Sequence, residues 1–219
     1  MKNKLSLIIP FLILVVGVAI AYNFIKADRT LPIYSPSQLN PELVDESLQL
    51  KKSKHRIANF NLIDQDGEEF SQADLEGKYY VADFFFTTCP SICIDMSEQL
   101  RRVQEEYMED SQFRILSHTV HPEVDSAETL KAYAELQDAN PDKWIFVTGE
   151  KQQIYELARK SYFAATTEGD GGVDDFIHTE NFILIDKEKR IRGFYDGTSE
   201  EDVDRLINDI GILAYEYEK

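Results

Sequence analysis

Cysteine is nearly missing from this chain: there are two among 219 residues, Cys89 and Cys93, four positions apart. A multi-bridge disulfide scaffold is thereby excluded, and the two thiols stand as a pair. Basic residues are scarce as well, 23 Lys and Arg against 40 Asp and Glu, for a net charge of −17. That balance excludes a broad phosphate-binding face, so no nucleic acid is expected as a partner, and a cationic partner suits it better. No internal repeat is present. Histidine is sparse too: no spacing supplies a second imidazole beside His178, and a Cys2His2 zinc site therefore lacks a ligand.

One apolar run is long. Leu5 to Ile25 gives 21 residues without a charge, bracketed by Lys4 and Lys26. A helix needs about 20 such residues to span a bilayer, so residues 1–25 are expected to be an N-terminal transmembrane helix. The competing reading is a cleaved signal peptide, with Lys2 and Lys4 as its basic start and Ala19-Ile20-Ala21 as its cleavage pattern; the length of the run favours retention. Either way the remainder is exported. The basic residues before the span put the amino end in the cytoplasm, making this a single-pass protein of the cell inner membrane whose domain faces the periplasm or an equivalent oxidising space.

Residues 26–55, with Pro32, Pro36, Pro41 and the basic patch Lys51-Lys52-Ser53-Lys54, read as a linker before a domain at 56–219. Ile57 to Ile63, a turn at Asp64-Gln65-Asp66-Gly67, and Glu68-Glu69-Phe70 predict a hairpin; the Asp-x-Asp-Gly is a turn before it is a calcium loop. Tyr79 to Phe86 is apolar and aromatic except for Asp83, as in a central strand buried on both faces. Helical spacing follows over Ser91 to Met108, then a buried strand at Gln112 to Val120 and a helix at Ala127 to Leu136. A short strand at Lys143 to Val147 and a helix from about Glu150 to Lys160 come next, before a loop at 161–177 that ends at His178. Phe182–Ile185 and Ile191–Tyr195 predict a second hairpin, and Glu200 to Tyr217 a closing helix. That order is the order of an α/β, thioredoxin-like fold, a central mixed sheet flanked by helices.

Cys89 stands where the buried strand meets a helix amino terminus, so free N–H groups and the helix dipole favour its thiolate. Cys93 is one turn on, close enough for a disulfide or for a shared metal. Two thiolates suit Cu(I), and one neutral imidazole would complete an open three-coordinate site. From residue type alone, a thiol oxidoreductase and a copper carrier use the same pair, and a structural disulfide remains a third use. A peroxidase is less compatible, because its reactive cysteine stands without a second one turn later. His178 joins the pair only where the loop before it folds over the Cys89 end of the sheet; otherwise it is solvated. His118 and His121, three apart on a strand, face opposite ways and cannot serve one site together, and His55 falls in the linker. Asp83 invites a proton-relay role if it is buried near the thiols, or sits at a solvated rim. Trp144 is expected to be packing.

Over about residues 56–217 the chain resembles the Sco/SenC proteins, membrane-anchored thioredoxin-fold copper proteins that serve cytochrome c oxidase assembly. The resemblance is carried by Phe84-Phe85-Phe86-Thr87-Thr88-Cys89-Pro90-Ser91-Ile92-Cys93, by Val120-His121-Pro122-Glu123-Val124-Asp125, and by His178-Thr179, 85 residues after Cys93. Ile177 and His121 stand where the family usually has Asp. The resemblance implies that Cys89, Cys93 and His178 hold copper, as Cu(I) or Cu(II), and that the partner is the copper-bearing subunit of cytochrome c oxidase or another copper protein. It equally implies an alternative in which Cys89 and Cys93 reduce the cysteines of that subunit.

Overall fold

A computed structural model describes residues 9–18, 30–44, 55–165, 172 and 175–219. The first hairpin pairs β1 (Asn61–Asp64) antiparallel with β2 (Glu69–Ser71). Its turn consumes the Asp64 carboxylate, which accepts the N–H groups of Asp66 at 2.9 Å and Glu68 at 3.0 Å, while Gly67 takes the positive φ of 83° that a side chain would resist. Asp64 is thus occupied as a turn residue.

The aromatic run forms β3 (Tyr79–Phe85), buried along its whole length. It lies parallel to β4 (Phe113–Thr119), which lies parallel to β5 (Trp144–Thr148). On its other side β3 pairs antiparallel with β6 (Asn181–Ile185), and β6 with β7 (Ile191–Asp196). The seven strands follow the order β2-β1-β5-β4-β3-β6-β7 in one mixed sheet, as expected. Because side chains alternate along a strand, β3 feeds both layers. Tyr79, Val81 and Phe85 pack beneath α1 (Ile92–Glu106), α2 (Ala127–Leu136) and α4 (Glu200–Glu218), while Tyr80, Ala82 and Phe84 pack against α3 (Lys151–Glu156) and the chain that follows it.

Three details depart from the sequence reading. The helix expected to reach Lys160 ends as α-helix at Glu156 and continues through one turn of π-helix, Leu157–Ser161, where the Tyr162 N–H reaches back to the Leu157 carbonyl at 2.8 Å. The extra residue lets Tyr162, Phe163 and Ala164 bury themselves at a point where a straight helix would leave the sheet. The segment 30–44 is docked, although its prolines suggest a plain linker. Arg192 is 3% exposed, and without that segment its buried Nε–H would lose its acceptor. Its guanidinium donates to the carbonyls of Leu31 (2.8 Å) and Pro32 (3.0 Å) and pairs with Asp186 (3.1 Å) and Glu216 (2.6 Å). The Tyr34 N–H adds a bond to the Ile191 carbonyl at 3.0 Å. His55, also assigned to the linker, is half-buried, with Nε2 at 2.6 Å from the Ser161 carbonyl and its ring on Phe163.

Residues 9–18 are helical with exposed apolar side chains. Among the described residues no helix is long and apolar enough to cross a membrane, and the rest of the expected span at 5–25 lies outside them.

Candidate dithiol and histidine site

β3 ends at Phe85, and Phe86 to Ser91 carry the chain over the sheet edge into α1. Ser91 occupies the cap position of that helix, yet its hydroxyl makes no capping bond to the helix backbone. The vacancy in the usual arrangement is filled by sulfur. Partial burial alone would raise the Cys89 thiol, but hydrogen bonds from the Ser91 and Cys93 N–H groups, the Cys93 thiol and the Ser91 hydroxyl outweigh it and hold Cys89 below the ordinary cysteine range. Cys93, 4% exposed, goes the other way. Burial pushes its thiol up to about 12, and the neighbouring Cys89 reinforces the rise. One half-buried sulfur is therefore shifted toward its thiolate and the other, buried, is held as the thiol that donates to it; both are free cysteines.

The loop entering this corner is fixed by Asp125. Its buried carboxylate accepts the Thr87 N–H at 3.1 Å, the Thr87 hydroxyl at 2.5 Å and the Thr119 hydroxyl at 2.5 Å. Asp125 closes the motif that begins at Val120, so it was visible in the sequence as a motif position. Its partner Thr87 could not be inferred, because the two are 38 residues apart.

His178 is exposed and sits at the end of the loop on the same corner, with its ring 5.9 Å from that of Phe86 and 5.0 Å from that of Phe176. Phe176 also meets Phe86 at 4.9 Å and His121 at 5.4 Å. Phe176 and His178, at the described end of the loop, thus lie against Phe86, three residues before Cys89. Among the described residues, however, no three His, Cys, Asp or Glu side chains converge as a metal cluster, so the dithiol is assembled and His178 stands beside it without closing a site. Ile177, in place of the family's Asp, is 3% exposed and packs into the core. His121 is half-buried at the rim, while His118 is fully buried against Phe84 at 4.7 Å, so the two histidines do part company as their spacing predicted.

Asp83 is not at a solvated rim. It is 2% exposed and accepts the Ser117 hydroxyl, which in turn accepts the Trp144 indole N–H at 2.8 Å. Burial pushes its carboxyl up to about 7, and burial pulls the His118 imidazole down to about 4. The signs oppose. As pH falls from about 7 to 4, folded Asp83 takes up its proton before the unfolded chain does, which favours folding; over nearly the same range the unfolded chain protonates His118 first, which disfavours it. Asp83→Asn removes the first contribution and unmasks the second. Chemical denaturation of that variant is expected to show stability falling by roughly 3 kcal/mol more than wild type between pH 7 and pH 4.

A low thiol at the mouth of a helix, a high one a turn behind it, and a mixed sheet with parallel centre and antiparallel hairpin edges define a thioredoxin-like dithiol domain. Comparison with known proteins narrows the class. The SCO1/SenC family model matches residues 49–213, and the chain belongs to that family. The SCO1 protein homolog of Bacillus subtilis (strain 168) is 33% identical over 158 residues, 71% of this chain and 81% of the relative. Two solved structures share the fold. One, from work on a disulfide switch in BsSco, a member of the Sco family of cytochrome c oxidase assembly proteins, is 31% identical with a TM-score of 0.62, covering 73% of this chain and 93% of that one. The other, Arabidopsis thaliana ScoI with copper bound, is 26% identical with a TM-score of 0.57, covering 74% and 98%.

Proposed function

We propose that this protein carries copper on Cys89, Cys93 and His178 and delivers it to the binuclear copper centre of cytochrome c oxidase during assembly. The observation that supports this most directly is the asymmetric thiol pair at the head of α1, with His178 on the loop above it. Two sulfurs and an imidazole are the soft and borderline donors that suit Cu(I), and three of them leave an approach open to a partner's ligands. Cys89 offers a ready thiolate; Cys93 must give up its proton as metal arrives, so uptake releases protons and weakens at low pH. The copper-bound Arabidopsis relative and the oxidase-assembly description of BsSco agree with this reading. The uncharged run at 5–25 and the exposed apolar side chains of 9–18 support an anchor in the inner membrane, with the domain on its outer side.

Copper stoichiometry and X-ray absorption on the full chain test the proposal. Wild type is expected to hold one copper with sulfur and nitrogen neighbours. His178→Ala should lose the nitrogen and weaken binding by at least about tenfold, the low end of what losing even an outer-shell partner costs a metal site. Unchanged ligation in that variant would remove His178 from the site.

The same two thiols favour a second reading, a tethered thiol-disulfide reductase for the target's cysteines, because a low attacking thiol backed by a high, buried one is the arrangement exchange chemistry uses. Turnover on a disulfide substrate with copper chelated, together with no copper bound to wild type, would select it.

A further inference from the structure

His178 is held from both sides by groups with no part in copper ligation. Asp175, three residues earlier, is gripped by Arg159 through a two-pronged ion pair, Nη1 to Oδ2 at 2.6 Å and Nη2 to Oδ1 at 2.7 Å. Both side chains are nearly buried, at 8% and 9% exposure. Tyr155, one helical turn before Arg159, has a single hydroxyl proton shared between the Val120 carbonyl at 2.8 Å and the Asp175 carbonyl at 3.3 Å, and the guanidinium lies over its ring. Immediately after His178, the Thr179 hydroxyl donates to the Ala164 carbonyl at 2.6 Å. Between these anchors Ile177 is buried and His178 is exposed.

A buried ion pair is a poor device for stability, since desolvation consumes most of what attraction returns. It is a good device for geometry, because the planar guanidinium fork fixes a carboxylate in direction as well as distance. The π turn at Leu157–Ser161 is what brings this pair to the loop: it holds Arg159 below Asp175 and then turns the chain so that Ala164 meets Thr179. Three extended residues reach about 10 Å, so pinning Asp175 and Thr179 confines the His178 backbone to the Cys89 corner while its imidazole stays free to move. We propose that Arg159, Asp175 and Tyr155 form a positioning clamp that holds the His178 loop over the dithiol before copper arrives. This rests on the reading of His178 as a ligand only for its effect on copper, not for its effect on the loop.

The clamp lowers the ordering cost of bringing the third donor to the metal. Breaking it leaves the donors in place but loosens one of them, and the expected loss of copper affinity is about tenfold, as for other outer-shell partners. The experiment compares wild type with Asp175→Ala, Arg159→Lys and the double variant Arg159→Met with Asp175→Ala, which removes both members of the buried pair together and so keeps a folded protein available. In the metal-free full chain, backbone order parameters at Phe176 to Thr179 are expected to fall from about 0.85 to below about 0.6 in both Asp175 variants, with Arg159→Lys between them and wild type. Cu(I) competition should show the same ranking, with the sulfur ligands unchanged. Loop order equal to wild type in the folded double variant would overturn the clamp, whatever copper does. Loss of order with copper affinity unaffected would overturn the role of His178 and leave the clamp standing.

Discussion

Alkylation by iodoacetamide at pH 7 is expected to label Cys89 and spare Cys93 by at least about 30-fold, and by more once access is counted. A thiol reacts as its thiolate, and Cys93 sits at about 12 while Cys89 lies below the ordinary value of 9.0. Three pKa units give roughly a thousandfold difference in thiolate fraction at neutral pH; the lower intrinsic nucleophilicity of the more acidic thiol returns about half of that on a logarithmic scale. What remains is about 30-fold, before the burial of Cys93 is considered. Mass spectrometry of the cysteine peptide at short labelling times reads the ratio directly. Equal labelling, or labelling of Cys93 first, would mean that the hydrogen bonds at the head of α1 do not favour the Cys89 thiolate over that of Cys93, and both functional readings would lose their nucleophile or ready ligand.

Asp125→Ala is expected to destabilise the protein by roughly 3 kcal/mol, a loss that follows from removing a buried carboxylate that satisfies three donors, one of them buried and two part-buried. Thermal unfolding should drop by about 10 °C for a chain of this size. The damage is local in origin: Thr87 and Thr119 lose the link between the loop leading to Cys89 and the end of β4. Asp125→Asn, which keeps an acceptor oxygen, should recover about half. A fall below about 1 kcal/mol in the Ala variant, measured by denaturant midpoint, would show that the loop is held by other contacts.

Much of the frame was readable from residue order alone, and the reason is physical. Strands such as Tyr79–Phe85 must bury both faces, and helices such as Ile92–Glu106 must turn an apolar stripe inward, so hydrophobic period reports them. Asp64-Gln65-Asp66-Gly67 carries its turn chemistry within four residues. The cysteine pair was legible for the same reason, since four positions on a helix are one turn. Features made by distant partners were not. Arg159 and Asp175 are separated by a loop, Asp125 and Thr87 by a strand and a helix, and each side chain alone reads as ordinary surface charge or a turn former. Asp83 carried the right warning, a carboxylate in an aromatic strand, but only the cross-strand Ser117 decides that it is buried instead of solvated. The docked segment 30–44 misleads for a related reason: prolines speak of the chain that contains them, whereas the need is set by Arg192, more than a hundred residues away.

That docking has a mechanical consequence. Leu31 and Pro32 are held beside Ile191 and Glu216, at the end of the sheet where β3 begins, whereas Cys89 follows the end where β3 finishes, about 20 Å away at the rise of a strand. A pull on the amino-terminal chain is therefore borne by the Arg192 guanidinium, Glu216 and the first residue of β7, and among the described residues the hydrogen bonds of Leu31, Pro32 and Tyr34 bypass the thiol loop. The amino-terminal segment is thus fastened at one pole of the domain and the sulfurs lie at the other, so a displacement of that segment leaves the build of the site undisturbed.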